Sequence, residues 1–148
     1  MDVKFSSEKP PVWGELVKAF NPDWDYVLVT YGNTIHFNMS KYDMMPQDLL
    51  VHELVHVRQQ SEYHYAGILA KLRGMEGAKG WWKQYLEDPA FRLEQEIEAY
   101  RAQYVYIKKV EKDRNAANKH LVRLASDLSG TNYGKIITYQ QAMIAIAK

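Results

Sequence analysis

His52-Glu53-Leu54-Val55-His56 lies inside the run Met45-Pro46-Gln47-Asp48-Leu49-Leu50-Val51-His52-Glu53-Leu54-Val55-His56-Val57-Arg58-Gln59-Gln60, whose apolar spacing predicts a helix. On a helix, residues four apart sit one above the other, so His52 and His56 project from one face, a turn apart. Two imidazoles at that spacing can bind one zinc ion, with Glu53 beside them to address a water on the metal. A chance pairing of residues is the competing explanation. With 5 His, a chain of this composition shows the pattern at random roughly once in a hundred times. With His52 at zero on a helical wheel, His56 falls at about 40°, Glu53 at about 100°, and Leu50, Leu54 and Val57 at about 140–200°. The wheel therefore predicts a largely buried helix. Two histidines and a carboxylate buried there need a strong compensating partner, and a metal is one.

Composition bounds what surrounds this helix. A chain of 148 residues, 47% hydrophobic and 25% charged, suits a single domain with its own core. Eleven Tyr and four Trp predict a core of aromatic bodies with polar tips. A net charge of +1 gives no reason to expect a nucleic acid or an anionic membrane as partner. With no cysteine, disulfides, thiolate zinc sites and cysteine nucleophiles are excluded. The N-terminus lacks the apolar core of a signal peptide, and no run is long enough to span a bilayer, so a cytoplasmic location is expected.

Residues 1–10 read as an extended lead-in. Trp13, Leu16, Val17 and Phe20 then follow helical spacing up to Asn21-Pro22. Tyr26-Val27-Leu28-Val29-Thr30-Tyr31 and Thr34-Ile35-His36-Phe37-Asn38 read as strands joined by a type II′ turn at Gly32-Asn33. His36 alternates with Ile35 and Phe37, as an outward strand residue does. Pro46 suits the first helical position, with the helix running to about Ser61. A short helix is expected over residues 65–73, and the glycine-rich residues 74–80 as a mobile loop. Trp81 would begin the next helix, with one tryptophan of the Trp81-Trp82 pair in the core and the other at the surface. Helices follow over residues 90–112 and 115–128, and Thr138-Tyr139-Gln140-Gln141 has the form of a capping box opening a last one. The fold class is α+β: one mostly helical domain with a small N-terminal sheet or hairpin.

Catalytic zinc needs a third protein ligand. His64 follows too soon and out of phase, and His120 lies on a late helix. Residues 91–101 offer Glu94, Glu96 and Glu98 on one helix. Against the stripe of Leu93, Ile97, Tyr100, Tyr104 and Ile107, Glu96 lies about 60° from centre, Glu94 about 100° and Glu98 about 140°. Glu96 is thus placed to point inward, and the other two read as solvated charges.

The pair His52-Glu53-Leu54-Val55-His56 and Glu96-Ile97-Glu98-Ala99 resembles the gluzincins, zinc metallopeptidases with two histidines on one helix and a glutamate on a later one. The likeness is greatest to small single-domain members encoded by phages and prophages. It implies a zincin-like domain over residues 1–148, one zinc held by His52, His56 and Glu96, and hydrolysis of a peptide or protein substrate with Glu53 as general base. It also implies that residues 34–38 form the edge strand along which a substrate pairs. Relatives stabilise the attacked carbonyl with a Tyr or His; Tyr133 is the candidate here, with a packed aromatic beside a turn as the alternative. Many relatives carry an aspartate four residues after the ligand glutamate, where this chain has Tyr100, so Gln59 or another residue would have to support a histidine. Two other readings remain open: a non-catalytic zinc-stabilised binding module, and a zinc amidase acting on peptidoglycan cross-links.

Overall fold

A 22-residue helix, Pro89–Val110, runs through the middle of the molecule and touches most of the other helices. The computed structural model describes residues 2–64 and 77–148. In chain order the described elements are β1 (Lys4–Ser6), α1 (Trp13–Phe20), β2 (Leu28–Tyr31), β3 (Thr34–Phe37), α2 (Gln47–Glu62), α3 (Gly77–Glu87), α4 (Pro89–Val110), α5 (Arg114–Leu128) and α6 (Tyr139–Ala147). Short 3₁₀ turns occupy Met39–Lys41 and Thr131–Tyr133. The architecture is α+β, mostly helical with one small sheet. Among the described residues, no helix is long and apolar enough to cross a membrane.

Local chemistry accounts for most boundaries. Asn21 takes φ +48 and closes α1 by donating its N–H to Leu16 and Val17 carbonyls. Gly32 at φ +64 supplies the positive φ of the two-residue turn between β2 and β3. Asp88 caps α4 by accepting from the amides of Ala90 and Phe91, with Pro89 at the first helical position. Thr138 and Gln141 form the expected capping box at α6.

The sheet order is β1-β3-β2, with β1 parallel and β2 antiparallel to β3. This corrects the expectation for residues 34–38. β3 is the central strand, because the lead-in pairs with it in the register Lys4↔Thr34 to Ser6↔His36. β2 is the strand that lies against α2. Gln60, fully buried on α2, fastens the hairpin there: its Oε1 accepts from Gly32 N at 2.7 Å and its Nε2 donates to Thr30 O at 2.8 Å.

Other expectations also change. The buried face of α2 is the polar one, made of His52, Glu53, His56, Val57, Gln59 and Gln60, while Leu54 is 39% exposed. Residues 77–80 form the first turn of α3 rather than a loop. Both Trp81 and Trp82 are buried, since Trp81 stacks on Tyr85 and Trp82 packs edge-on against it. The helix expected over residues 65–73, and the loop residues 74–76, lie outside the described residues.

Two apolar clusters result. One joins α1, β2 and α3 through Val12, Leu16, Val29, Trp81, Trp82 and Tyr85. The other joins α4, α5 and α6, with Tyr104, Leu124 and Leu128 among its buried members. The polar face of α2 meets both: the His56 ring lies 5.5 Å from Trp81 and the His52 ring 4.5 Å from Tyr100.

Candidate metal centre

The helical spacing of α2 brings His52 Nε2 within 3.2 Å of His56 Nε2. Packing of α4 against α2 brings in Glu96, whose Oε2 lies 3.3 Å from each of those nitrogens. All three side chains are buried. The protons on this triangle can be traced. His52 Nδ1 faces Gln103 Oε1 at 3.0 Å and His56 Nδ1 faces Gln59 Oε1 at 2.8 Å. A carbonyl oxygen only accepts, so both rings carry a proton on Nδ1, and both Nε2 lone pairs are free to face Glu96 in the neutral tautomer. Glu96 Oε1 accepts from the Tyr85 hydroxyl at 2.7 Å, whereas Oε2 is buried with no hydrogen-bond partner among the described residues. Three buried acceptor atoms facing one another call for a cation between them.

The spacing suits zinc. Two ligand atoms on a tetrahedral zinc, at bonds of about 2.0–2.1 Å, lie about 3.3–3.4 Å apart. A second carboxylate, Glu53, also stands close enough to the two histidines for a shared metal. Geometry assigns the two acids different places. Glu96 presents one unpartnered oxygen equidistant from both nitrogens, while Glu53 Oε2 lies 3.6 Å from His52 Nε2 and its Oε1 accepts from Thr30 Oγ1 at 3.0 Å. Glu53 therefore stands beside the triangle, held by the sheet.

Electrostatics follow from this crowding. Burial opposes a charge on His56, but the Glu96 and Glu53 carboxylates outweigh it and raise its pKa to about 9. Burial would likewise raise Glu96, yet the histidines hold it below the usual carboxylate range. A proton on His56 thus stands in for a cation in the metal-free chain. Burial pushes the Glu53 carboxyl up, against the pull of both histidines. Burial, reinforced by the Glu96 charge, keeps Tyr85, Tyr100 and Tyr133 protonated well above the ordinary phenol range.

Tyr133 lies at the wall of the same cleft. Its hydroxyl pairs with that of Tyr100 at 2.8 Å, and its carbonyl accepts from the buried Arg92 at 2.9 Å. Gly134 then turns the chain at φ +86, where an added Cβ would come 3.2 Å from the Phe20 ring. Glu94 is exposed and away from the triangle. Glu98 is exposed too but not merely solvated, since it accepts from Arg58 and from Gln59 Nε2. Neither His36, bound to the Glu8 carbonyl, nor His120, beside Arg123, joins the cluster. Sequence reasoning missed Thr30, Tyr85, Gln103 and Asp48. Two of these had a periodic signal: Gln103 lies seven residues after Glu96 and Asp48 four before His52, so each shares a face with a candidate ligand.

The triangle lines a cleft of about 390 Å³. Leu16, Phe20, Tyr26 and Val27 line it on one side, and Arg123 and Asp127 come from α5.

Neither the curated proteins nor the solved structures give a match to this chain. Residues 18–64 match the family model described as the eCIS core domain, that of the extracellular contractile injection system, and the match ends two residues beyond α2. The matched span is about a third of the chain and includes His52, Glu53 and His56, but not Glu96. Of the resemblance drawn from the motif, this match supports the phage-like part and does not bear on the gluzincin part: the chain is similar to a phage-like family over the stretch that carries the two histidines.

Proposed function

We propose that this chain is a zinc-dependent peptidase in which His52, His56 and Glu96 hold the metal and Glu53 is the general base. One observation carries the reading: His52 Nε2, His56 Nε2 and Glu96 Oε2, all buried and 3.2–3.3 Å apart, enclose a point at the wall of a cleft that no other described residue fills with a hydrogen-bond donor. Zinc in such a site supplies Lewis acidity, lowering the pKa of a water toward neutrality and polarising a carbonyl under attack.

The chain's own residues do the rest. Thr30 holds one oxygen of Glu53, which leaves the other to take a proton from the attacking water and pass it to the departing nitrogen. Tyr85 commits its proton to Glu96. Tyr100 and Tyr133 share one hydrogen bond between two hydroxyls, so one phenolic proton of the pair stays uncommitted. Tyr133, the less buried of the two, supplies that donor to the negative charge growing on the attacked oxygen. In the cleft, apolar side chains of a peptide would meet Leu16, Phe20 and Val27. Three protein ligands and an open cleft favour this over a purely structural zinc, which is normally closed by four ligands.

The test pairs metal analysis with a broad peptide-cleavage screen. The expected result is one zinc per chain and cleavage of a subset of peptides. Glu53→Gln should keep the zinc and lose at least about a hundredfold in rate, the scale of a positioned acid–base group. Metal-replete protein without zinc would end the proposal, as would full activity in Glu53→Gln. Zinc without any turnover would leave a structural metal as the better account.

A further inference from the structure

Each candidate ligand histidine rests on a glutamine, and what holds each glutamine differs. Gln103, on α4 and 1% exposed, donates from Nε2 to Asp48 Oδ2 at 2.8 Å. Gln59 donates from Nε2 to two acceptors, the Gln95 carbonyl at 3.1 Å and Glu98 Oε1 at 2.7 Å. An amide side chain can turn over, exchanging its carbonyl and its NH₂ at almost no steric cost. Which end faces the histidine is set by the group at the other end.

From this geometry we infer that Asp48 is a positioning residue for the metal, acting through Gln103 to keep the Nε2 lone pair of His52 turned toward Glu96. The inference rests on the zinc reading above. Asp48 is a carboxylate and can only accept, so the Gln103 NH₂ must face it and the Gln103 carbonyl must face His52. His52 then carries its proton on Nδ1, 3.0 Å from that carbonyl, and Nε2 is left free. The opposite amide orientation would set the Gln103 carbonyl against the Asp48 carboxylate and its NH₂ against Nδ1. It would draw on the Nδ1 lone pair and move the ring proton to Nε2, where a metal could not bind. Asp48 disfavours that state.

Among the described residues no second acceptor holds the Gln103 amide, whereas Gln59 keeps the Gln95 backbone carbonyl whatever becomes of Glu98. The two carboxylates should therefore be unequal, although both lie one amide away from a ligand. Asp48 is itself well placed: it sits in the first turn of α2, where the helix N-terminus favours a negative charge, and its Oδ2 lies 3.4 Å from Arg123 Nη2.

The experiment measures zinc affinity by competition with a chromophoric chelator, and the ring tautomer of His52 by ¹⁵N resonance in the zinc-free protein. Asp48→Ala should bind zinc about 10–100-fold more weakly, the range for losing a partner beyond the ligands themselves, and should show proton density on Nε2 of His52. Asp48→Asn should restore most of the affinity and the Nδ1–H tautomer, because Arg123, which only donates, keeps the Asn carbonyl in the place of Oδ2, where it accepts from Gln103. Glu98→Ala should bind close to the parent. Asp48→Ser repeats the test with a hydroxyl that donates as readily as it accepts and so cannot select one amide orientation; it serves if the alanine variant fails to fold. In a cycle with Gln103→Leu, the double variant should lose no more than Gln103→Leu alone.

Parent-like affinity and tautomer in Asp48→Ala and Asp48→Ser would overturn the inference. So would additive losses in the cycle, or an Asp48→Asn variant as weak as Asp48→Ala, which would make charge rather than amide selection the cause. A parent protein that takes up no zinc would remove the metal reading and this inference together, an outcome distinct from zinc bound equally well by all variants.

Discussion

Glu96 and Glu53 are two buried carboxylates that meet the same pair of imidazoles, yet their free oxygens face different work. Glu96 has one oxygen on Tyr85 and the other aimed at both Nε2 atoms, the posture of a ligand. Glu53 has one oxygen on Thr30 and the other beside the triangle, the posture of a base. The three acids of α4 separate by the same reasoning. Glu96→Ala should abolish tight zinc binding, while Glu94→Ala and Glu98→Ala should retain it, read as zinc per chain after dialysis. Loss of metal from Glu98→Ala alone would move the ligand to the other face of α4. Tyr133 offers a further residue-scale expectation. Tyr133→Phe should leave zinc in place and lower turnover by about 10²–10³, the cost of removing one donor to a developing oxyanion. An unchanged rate would return Tyr133 to being a packed aromatic beside a turn.

At the scale of elements, the sheet aims the base. Thr30 on β2 donates its hydroxyl to Glu53, and its carbonyl accepts hydrogen bonds from Gln60 of α2 and Trp82 of α3. One strand residue thus joins three elements beneath the site. Thr30→Val keeps the shape but leaves Glu53 Oε1 without a donor, a cost of about 1–3 kcal/mol for a buried acceptor. The expected outcome is a lower melting temperature and slower hydrolysis with zinc content unchanged; loss of the zinc would show that Thr30 supports the metal rather than the base. The same elements show what the sequence could and could not reveal. The histidine spacing on α2, the inward face of Glu96 on α4 and the Thr138 capping box are local or periodic, so they were legible. β1 was not: Lys4–Ser6 is three mostly exposed residues, a strand only because β3 lies beside it. The start of α3 was hidden as well. Gly77 and Gly80 disfavour helix by about 1 kcal/mol each against alanine, and burial of Trp81, Trp82 and Tyr85 outweighs that preference. The polar inner face of α2 inverts the usual pattern because its partners are a carboxylate, a hydroxyl and amides rather than methyl groups.

For the molecule as a whole, the metal would act as a cross-link at a seam. His52 and His56 come from α2 and Glu96 from α4, and each ring leans on a residue from a different apolar cluster. A ligand that binds only the folded chain stabilises it by RT ln(1 + [L]/Kd), about 4 kcal/mol at a thousand times Kd. For a chain of this size that corresponds to roughly 8–16 °C in melting temperature. Chelation of the loaded protein should therefore lower the melting temperature by an amount of that order, and added zinc should restore it. The zinc-free chain should still fold, because a proton on His56 can face the Glu96 carboxylate in place of the ion. Variants then separate the roles. Glu53→Gln should keep the full zinc-dependent rise, since it leaves all three ligands intact. Glu96→Ala should show no rise, and its zinc-free form should melt below the zinc-free parent, because the change leaves the Tyr85 hydroxyl and His56 without the buried carboxylate they face. A zinc-dependent rise of equal size in Glu96→Ala would mean that Glu53 completes the site instead, leaving the chain without its proposed base and making the metal structural.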